Sequence, residues 1–472
     1  MSPKAQAVLL VTFLATFGVA FLARRRSSQD EHGGLAELNL NRWLVGLSAG
    51  TTAGSGFIAT GSVAFGYSMG LKSIYLPVSW LLGDLVFWYF FPARINRTGR
   101  DSQATTLSQL LTYQLSGTLS AVLALLCALT ILVSLTGFLS AQWLTGQKLL
   151  SGAFGLSNST ALGTFALLII AYSSIGGFRG SIYTDVLLAI IRIAGTMIAL
   201  IAILWFAMDD HMAFAKHIAA AGSGFISMRF GGIAGTASFV LGSAIAAIGF
   251  GLGQPQILTR YLAGRTPEET RAAWWIYIGF GQFTWISMIV FGVFLRGIMP
   301  GITDPETGLS VFFQSYTDAA LTGIILAHVF ATIAGTSNGV LVTIAQIIVH
   351  DVVPRVFDDR QVRLCISIAT LLMGAVSILI SLSMHGSAYS VALSSMALMG
   401  AGLASAVMIK VLGWRHSAAS LLCAVIGGIG GAVLWQQSGL GRLLYEPGVG
   451  MACGLGINWV TVRTFTVETL RK

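Results

Sequence analysis

Residues 47–57 read Leu-Ser-Ala-Gly-Thr-Thr-Ala-Gly-Ser-Gly-Phe, and this stretch decides how the rest of the chain is interpreted. It lies inside an apolar segment long enough to span a membrane, yet it is rich in glycine, threonine and serine. A helix that crosses lipid satisfies its backbone amides internally, so such a run predicts an interruption of the helix. Carbonyls released there, together with hydroxyls, are oxygen ligands for a small cation or a polar solute. Close packing of two helices across small residues is the alternative interpretation.

The composition indicates a polytopic helical membrane protein. The 472 residues are 55% hydrophobic and 10% charged, with a mean hydropathy of +0.79, which excludes an ordinary soluble domain. The net charge of +9 does not indicate nucleic-acid binding, because most of the basic residues fall in short connections on one side of the predicted membrane. The four cysteines lie in or beside apolar segments without metal-ligand spacing, so we interpret them as packing residues.

Charged and turn-rich connections divide the chain into about thirteen predicted transmembrane segments, each long enough for roughly 20 helical residues. They are residues 7–23, 43–69, 73–92, 118–146, 159–176, 183–207, 233–258, 273–296, 321–349, 364–384, 388–410, 417–435 and 446–463. With the N-terminus outside and the C-terminus cytoplasmic, 19 of the 27 lysines and arginines lie in inner connections and 7 in outer ones. This asymmetry favours that orientation in a plasma (inner) membrane.

A second interruption is predicted at residues 249–255, Gly-Phe-Gly-Leu-Gly-Gln-Pro, in the seventh segment. It lies five segments after the first, and an odd offset makes the two units run in opposite directions through the membrane. This is the pattern of an inverted repeat with its binding site at the repeat interface. We therefore predict one all-α transmembrane domain over 1–472, with a first repeat at 43–207, a second at 233–410, and peripheral helices at 7–23, 417–435 and 446–463.

Three motifs carry a resemblance to a known family. Besides 47–57, residues 172–185 read Tyr-Ser-Ser-Ile-Gly-Gly-Phe-Arg-Gly-Ser-Ile-Tyr-Thr-Asp, and residues 253–263 read Gly-Gln-Pro-Gln-Ile-Leu-Thr-Arg-Tyr-Leu-Ala. Together they resemble the sodium/solute symporter family, most closely its sodium/proline symporter branch, and residues 331–351 fit by their spacing to a terminal aspartate. The resemblance implies a leucine-transporter-type fold of two inverted five-helix repeats, alternating access, and sodium entry that drives solute uptake.

The resemblance also implies site residues. The family's sodium site corresponds to carbonyls of Thr51 and Gly54 and to Thr332, Gly335 and Thr336, although the family has a serine where this chain has Gly335. The position of Asp185 contributes to sodium binding in some relatives; the alternative is a carboxylate that interacts with a helix N-terminus. The solute-contacting positions that we expect are Ser55, Gly56, Phe138, Ala247, Gly251, Gln254 and Pro255. Ala53 stands where the proline branch has an aspartate, and the branch's solute-binding aromatics differ too, so the pocket should be differently shaped.

Three further ionisable residues lie inside predicted segments, where an uncompensated charge is costly. Arg192 shares a helical face with Asp185 and has three interpretations: an anchor for a solute carboxylate, a fixed cation that replaces sodium, or a structural ion pair. His328 precedes Thr332 on one helical face and is a candidate for proton coupling, with a satisfied core histidine as the alternative. Asp84 is expected to form a structural pair or hydrogen bond.

The sequence therefore predicts a secondary transporter, not an enzyme, that imports a small polar solute by sodium symport. An amino acid such as proline, or a carboxylate, is the expected solute. The expected partners are this solute and the lipid bilayer, with no nucleic acid, and sodium is the only metal expected. Proton-coupled or sodium-independent transport by the same fold is the alternative. A membrane sensor of the same architecture or a passive channel is the alternative from another class.

Overall fold

The computed structural model describes residues 2–27, 39–353, 359–383, 388–442 and 444–463. Within these residues the chain forms twenty α-helices, joined by short turns that include 3-10 and π-helical segments. They are α1 Pro3–Ser27, α2 Arg42–Ala53, α3 Ser62–Met69, α4 Tyr75–Phe90, α5 Pro92–Ser102, α6 Leu107–Thr112, α7 Thr118–Phe154, α8 Asn158–Asp209, α9 His211–Ala220, α10 Ser223–Ile226, α11 Ile233–Gly253, α12 Pro255–Leu262, α13 Pro267–Ala272, α14 Trp274–Ile298, α15 Gly308–Tyr316, α16 Ala319–Ile347, α17 Asp359–Ser383, α18 Ala388–Val411, α19 Ala418–Gln437 and α20 Glu446–Thr461. Residue 384, at the end of the tenth predicted segment, and several counted basic residues, among them Arg355 and Lys472, lie outside the described residues.

Ten stretches among the described residues are long and apolar enough to cross a membrane. The sequence predicts about thirteen segments, and three features account for the difference. The fifth and sixth segments are counted together because the two helices that form α8 meet directly at Gly177; the second half of the second segment is counted together with the third over Phe57–Phe90; and α20 has only 16 residues. Every predicted segment nevertheless corresponds to a helix, and the all-α polytopic architecture is confirmed.

Both predicted interruptions are present, each with a local cause. The first helix stops at Ala53, where Gly54 adopts φ −82° and ψ 80°, and a π-helical turn at Phe57–Gly61 precedes α3. The second stops at Gly253, where Gln254 is extended because the ring of Pro255 disfavours a helical conformation in the preceding residue. Pro255 then occupies the first position of α12, where its missing N–H leaves no hydrogen bond unmade.

The element α8 consists of two helices that meet at Gly177. Gly177 has φ 56° and ψ −155°, a conformation that is open to glycine and strained for other residues, and it interrupts the 52 residues of α8. The Gly-Gly run at which the sequence predicts a connection between two segments is therefore the junction of two helices. The junction separates the first part of α8 from the part that carries Asp185 and Arg192.

Helix α16 forms the centre of the bundle. All but a few of its residues are buried, and α1, α2, α7, α8 and α17 pack around it. Helix α14 packs against α2, α3 and α8 on the other side of the first interruption. Both interrupted helices are thus enclosed by protein, which is the condition for irregular backbone at membrane depth. The division into two inverted repeats, 43–207 and 233–410, stays a prediction.

Candidate functional site

A cavity of about 540 Å³ begins at the first interruption. Gly54 and Ser55 line it at that interruption, while Phe230 and Tyr445 line it in connections at the far end. These are connections that the distribution of basic residues predicts to lie outside. The cavity therefore extends from the interrupted helix towards the end of the bundle predicted to face the exterior.

Arg192 is the only arginine or lysine among the described residues that line this cavity. Its side chain extends from α8 and is almost wholly buried, and its guanidinium carbon lies 4.7 Å from the centre of the Phe280 ring. Its Nη1 donates a hydrogen bond of 3.4 Å to the carbonyl oxygen of Thr51. Its Nε is buried without a hydrogen-bond partner among the described residues, so the guanidinium retains donor capacity.

Thr51 connects the two sodium-site regions that the resemblance implies. Its carbonyl oxygen accepts hydrogen bonds from Arg192 and from the hydroxyl of Thr336, the latter at 3.3 Å. Its own hydroxyl donates to the backbone oxygen of Asp185 at 3.1 Å. The structure therefore brings together Thr51, Thr336, Asp185 and Arg192, which sequence analysis selected from three separate helices.

Two glycines let these helices approach closely. A Cβ atom at Gly54 would lie 2.4 Å from Nη2 of Arg192, so only a residue without a side chain leaves the guanidinium in place. A Cβ atom at Gly335 would lie 2.3 Å from Cγ2 of Thr51. The family's serine at this position would therefore collide with the methyl group of Thr51. Thr332, the remaining predicted ligand, donates its hydroxyl to the backbone oxygen of His328 at 2.9 Å.

Asp185 forms a fully buried ion pair with Arg260. Oδ2 of Asp185 lies 3.3 Å from Nη2 of Arg260 and accepts a hydrogen bond of 2.6 Å from the hydroxyl of Ser48. Its Oδ1 is buried without a hydrogen-bond partner in the described part of the chain. Arg260 is among the basic residues counted in inner connections, but it is enclosed in the bundle, because α12 continues the interrupted helix inwards.

His328 packs against the backbone of Arg192. Its Nδ1 lies 3.2 Å from the backbone oxygen of Arg192, and its Nε2 is buried with no partner among the residues that the structure describes. Its ring is not part of the cavity wall. The imidazole is therefore not in direct contact with the cavity, and proton coupling by His328 stays a prediction.

Asp84 contributes a carboxyl group to the cavity wall. It lies in the middle of α4, is 6% exposed and borders the cavity. Among the described residues no lysine, arginine or histidine is within ion-pairing distance of it. Of the two alternatives expected from the sequence, the structural ion pair is not formed with any described residue, and the carboxyl group faces the same space as Arg192.

Aromatic side chains form much of the remaining wall. Trp80, Phe250 and Trp285 contact one another, with ring centres 5.5 Å apart for Trp80 and Phe250 and 5.6 Å apart for Trp80 and Trp285. Phe57 packs against Trp285 at 6.2 Å. Nε1 of Trp285 is buried without a hydrogen-bond partner among the described residues. The wall is thus apolar and aromatic, with few polar groups.

The predicted solute-contacting residues divide into two groups. Ser55 and Arg192 line the cavity, whereas Gly56, Phe138, Ala247, Gly251, Gln254 and Pro255 do not. The N–H of Gly56 donates to Gln142 at 3.1 Å, and Gly251 packs against the ring of Phe87. Gln254 accepts a hydrogen bond of 2.6 Å from Gln256. The roles of these residues stay predictions.

Sequence reasoning missed the contribution of α14. Tyr277 and Trp285 line the cavity, and Phe280 stacks with Arg192. Tyr277 and Phe280 lie one turn apart and both pack against Gly50 of the interrupted helix. Their aromatic segment is typical of any apolar helix, so only its proximity to Gly50 and Arg192 in space identifies it.

Comparisons with known proteins agree with this geometry. The sequence profile of the sodium:solute symporter family matches residues 35–452. The high-affinity proline transporter PutP of Bacillus subtilis is 24% identical over 93% of this chain and 93% of its own length. The sodium/pantothenate symporter of Haemophilus influenzae is 24% identical over 92% of this chain and 90% of its own.

Solved structures share the fold. A sodium-coupled sialic acid symporter superposes with a TM-score of 0.83 at 19% identity, covering 99% of this chain and 100% of the other. MhsT, solved with L-phenylalanine, gives a TM-score of 0.58 at 13% identity over 88% of this chain and 98% of its own. The leucine-transporter-type fold expected from the resemblance is confirmed.

Two interrupted helices enclosed in a polytopic bundle, one of them beginning a cavity, define a secondary transporter and not an enzyme. The chain belongs to the sodium:solute symporter family. Members of this family bind a small solute within the membrane, and coupling of its movement to sodium is typical of them.

Proposed function

We propose that this protein imports a small zwitterionic amino acid by sodium symport. The observation that carries the proposal is the pair of opposite charges on one cavity. Arg192 and Asp84 both line it, and neither is ion-paired with another described residue. The names of the relatives, among them proline transporters, agree with a solute of this size.

The charges favour a zwitterion because each needs a partner. A buried charge without a counter-ion costs several kcal/mol, roughly, and a ligand that brings the opposite charge removes that cost. A solute carboxylate in the cavity can accept hydrogen bonds from the guanidinium of Arg192, which favours carboxylate partners. A solute ammonium would neutralise Asp84. An amino acid carries a partner for each group.

The remaining wall favours an apolar side chain. Phe57, Trp80, Phe250 and Trp285 supply aromatic surface against which a hydrocarbon or a small ring can pack. Ser55 is a polar group at the interruption itself. An amino acid with a compact apolar side chain matches this wall better than a sugar, which would need many hydrogen-bond partners.

The opposite end of the bundle is closed, which supports uptake from the outer side. The backbone of Leu40 forms hydrogen bonds with Ala263 and Arg265, and Nε of Arg42 donates to Glu269 at 3.1 Å. Nδ2 of Asn96 donates to the carbonyl oxygens of Tyr261 and Gly264, at 2.7 and 2.9 Å. Alternating access would break these contacts to release the solute on the side predicted to be cytoplasmic.

Proton-driven uptake is the second candidate, and one observation favours it. Asp84 is a buried carboxylate on the cavity without an ion-pair partner among the described residues, so a proton can neutralise it as well as an ammonium can. A solute with a carboxylate alone would then suffice.

Uptake into proteoliposomes tests the proposal. A panel of radiolabelled amino acids, with proline, a betaine and a monocarboxylate included, is offered under a sodium gradient, a proton gradient or neither. Uptake of an apolar amino acid that requires inward sodium supports the proposal. Uptake driven by an acidic exterior alone supports the second candidate, and transport of none of the panel rejects the solute class.

A further inference from the structure

The carbonyl oxygen of Thr51 already has two hydrogen-bond donors. Nη1 of Arg192 reaches it at 3.4 Å and the hydroxyl of Thr336 at 3.3 Å. Thr51 and Thr336 are two of the positions that the resemblance assigns to sodium. A carbonyl oxygen and a hydroxyl oxygen are suitable ligands for a hard cation, and here a permanent cation lies against the carbonyl oxygen.

The surroundings of the guanidinium leave little room for an additional ion. A Cβ atom at Gly54 would lie 2.4 Å from Nη2 and 2.7 Å from Nη1 of Arg192, so the guanidinium lies directly against the interrupted backbone. Gly335 is equally close to Thr51 and provides no hydroxyl. A sodium ion at this place would be repelled by a charge that arginine does not lose.

Arg192 is held where it is from several sides. The ring of Phe280 stacks on the guanidinium at 4.7 Å, and the backbone oxygen of Arg192 lies 3.2 Å from Nδ1 of His328. A Cβ at Gly195, one turn along α8, would lie 2.4 Å from Cβ of His328, so α8 and α16 are in close contact here. The side chain is thus part of the packed bundle and not a mobile surface group.

We propose that the guanidinium of Arg192 is a built-in cation that occupies, beside the carbonyl oxygen of Thr51, the sodium position to which the resemblance also assigns Thr336, so that no sodium ion binds there. The inference rests on the proposed function in one respect only. If sodium drives transport, as proposed, that sodium must bind at other ligands. The occupancy of this position does not depend on which solute is carried.

The test is the effect of sodium on the melting temperature of the purified protein without solute. It compares sodium chloride with choline chloride at equal ionic strength. In Arg192→Ala the vacated position should bind sodium, which raises the melting temperature by at least about 2 °C more than in the unmodified protein. The double variant Arg192→Ala with Thr336→Val should lose this gain. Arg296→Ala, which removes a guanidinium stacked on Tyr67 at 4.9 Å, is the matched control and should show no gain.

Two results would overturn the proposal. One is an Arg192→Ala protein whose sodium response equals that of the unmodified protein. The other is a sodium response of the unmodified protein that Thr336→Val removes, because sodium would then already bind at this position. Should Arg192→Ala not fold, the second comparison decides alone: a sodium response unchanged by Thr336→Val supports the proposal. Failure of the solute assignment leaves these measurements unaffected, since they contain no solute.

Discussion

Asp185 and Arg260 form an ion pair in which neither side chain is exposed, with Oδ2 and Nη2 3.3 Å apart. The pair joins α8 to α12, the second half of the second interrupted helix. Arg260 also donates to Ser181 at 2.7 Å and to the backbone oxygen of Gln256 at 2.8 Å. This network holds α12 against α8.

Removing one member of this pair should destabilise the protein strongly. Asp185→Asn leaves the guanidinium of Arg260 buried without its counter-ion, a change that costs about 3 to 5 kcal/mol in buried pairs. We expect a clear fall in melting temperature, measured in detergent. The double variant Asp185→Asn with Arg260→Gln removes both charges and should recover part of the loss. If the double variant loses as much melting temperature as the two single variants lose together, the two side chains contribute no coupling energy.

Gly335→Ser should also lower stability, even though it restores the residue of the family. The new Cβ would meet Cγ2 of Thr51 at 2.3 Å, and overpacking of this kind costs about 1 to 3 kcal/mol. Thr51→Ser removes that methyl group and keeps the hydroxyl, so the combination with Gly335→Ser should melt higher than Gly335→Ser alone. Equal melting temperatures for the two would mean that Thr51 is not the obstacle.

Gly54→Ala should impair solute binding through Arg192. A Cβ at this position would lie 2.4 Å from Nη2, so the guanidinium must move away from the cavity wall. We expect binding of a carboxylate-bearing solute to weaken about 10-fold, which corresponds to about 1.4 kcal/mol. Gly279→Ala in α14, where a Cβ meets nothing within 4 Å, is the control and should bind normally. Unchanged affinity in Gly54→Ala would separate Arg192 from the solute.

The sequence predicts the backbone features of the site well because they follow from local chemistry. Glycine beside hydroxyl residues near Gly54, and glycine before Pro255, weaken a helix wherever it lies, and both helices are interrupted there. Arg192 and Asp185 can be selected from the sequence because a charge inside a membrane segment is costly and is retained where it has a structural or functional role. The glycine run near Gly177 likewise predicts the end of one segment, and two helices meet at that residue.

The contacts between helices cannot be predicted from local sequence. Helical spacing places Arg192 and Asp185 on one face, and an ion pair between them is one of the three interpretations that the sequence leaves open. In the structure Asp185 is paired with Arg260 from a distant helix, while Arg192 turns towards Thr51 and Phe280. Which of two basic residues reaches a carboxylate depends on tertiary packing. Sequence spacing carries no information about how α12 packs against α8.

The most direct test of the central claim is a competition assay in proteoliposomes. It uses the amino acid that the uptake panel identifies, its carboxamide, and the matching carboxylic acid without an amino group. In the unmodified protein both analogues should compete at least about 10-fold less well than the amino acid. In Arg192→Gln only the carboxamide should compete as well as the amino acid does. In Asp84→Asn only the acid without an amino group should do so. Equal competition by all three compounds in the unmodified protein would contradict recognition of a zwitterion between Arg192 and Asp84.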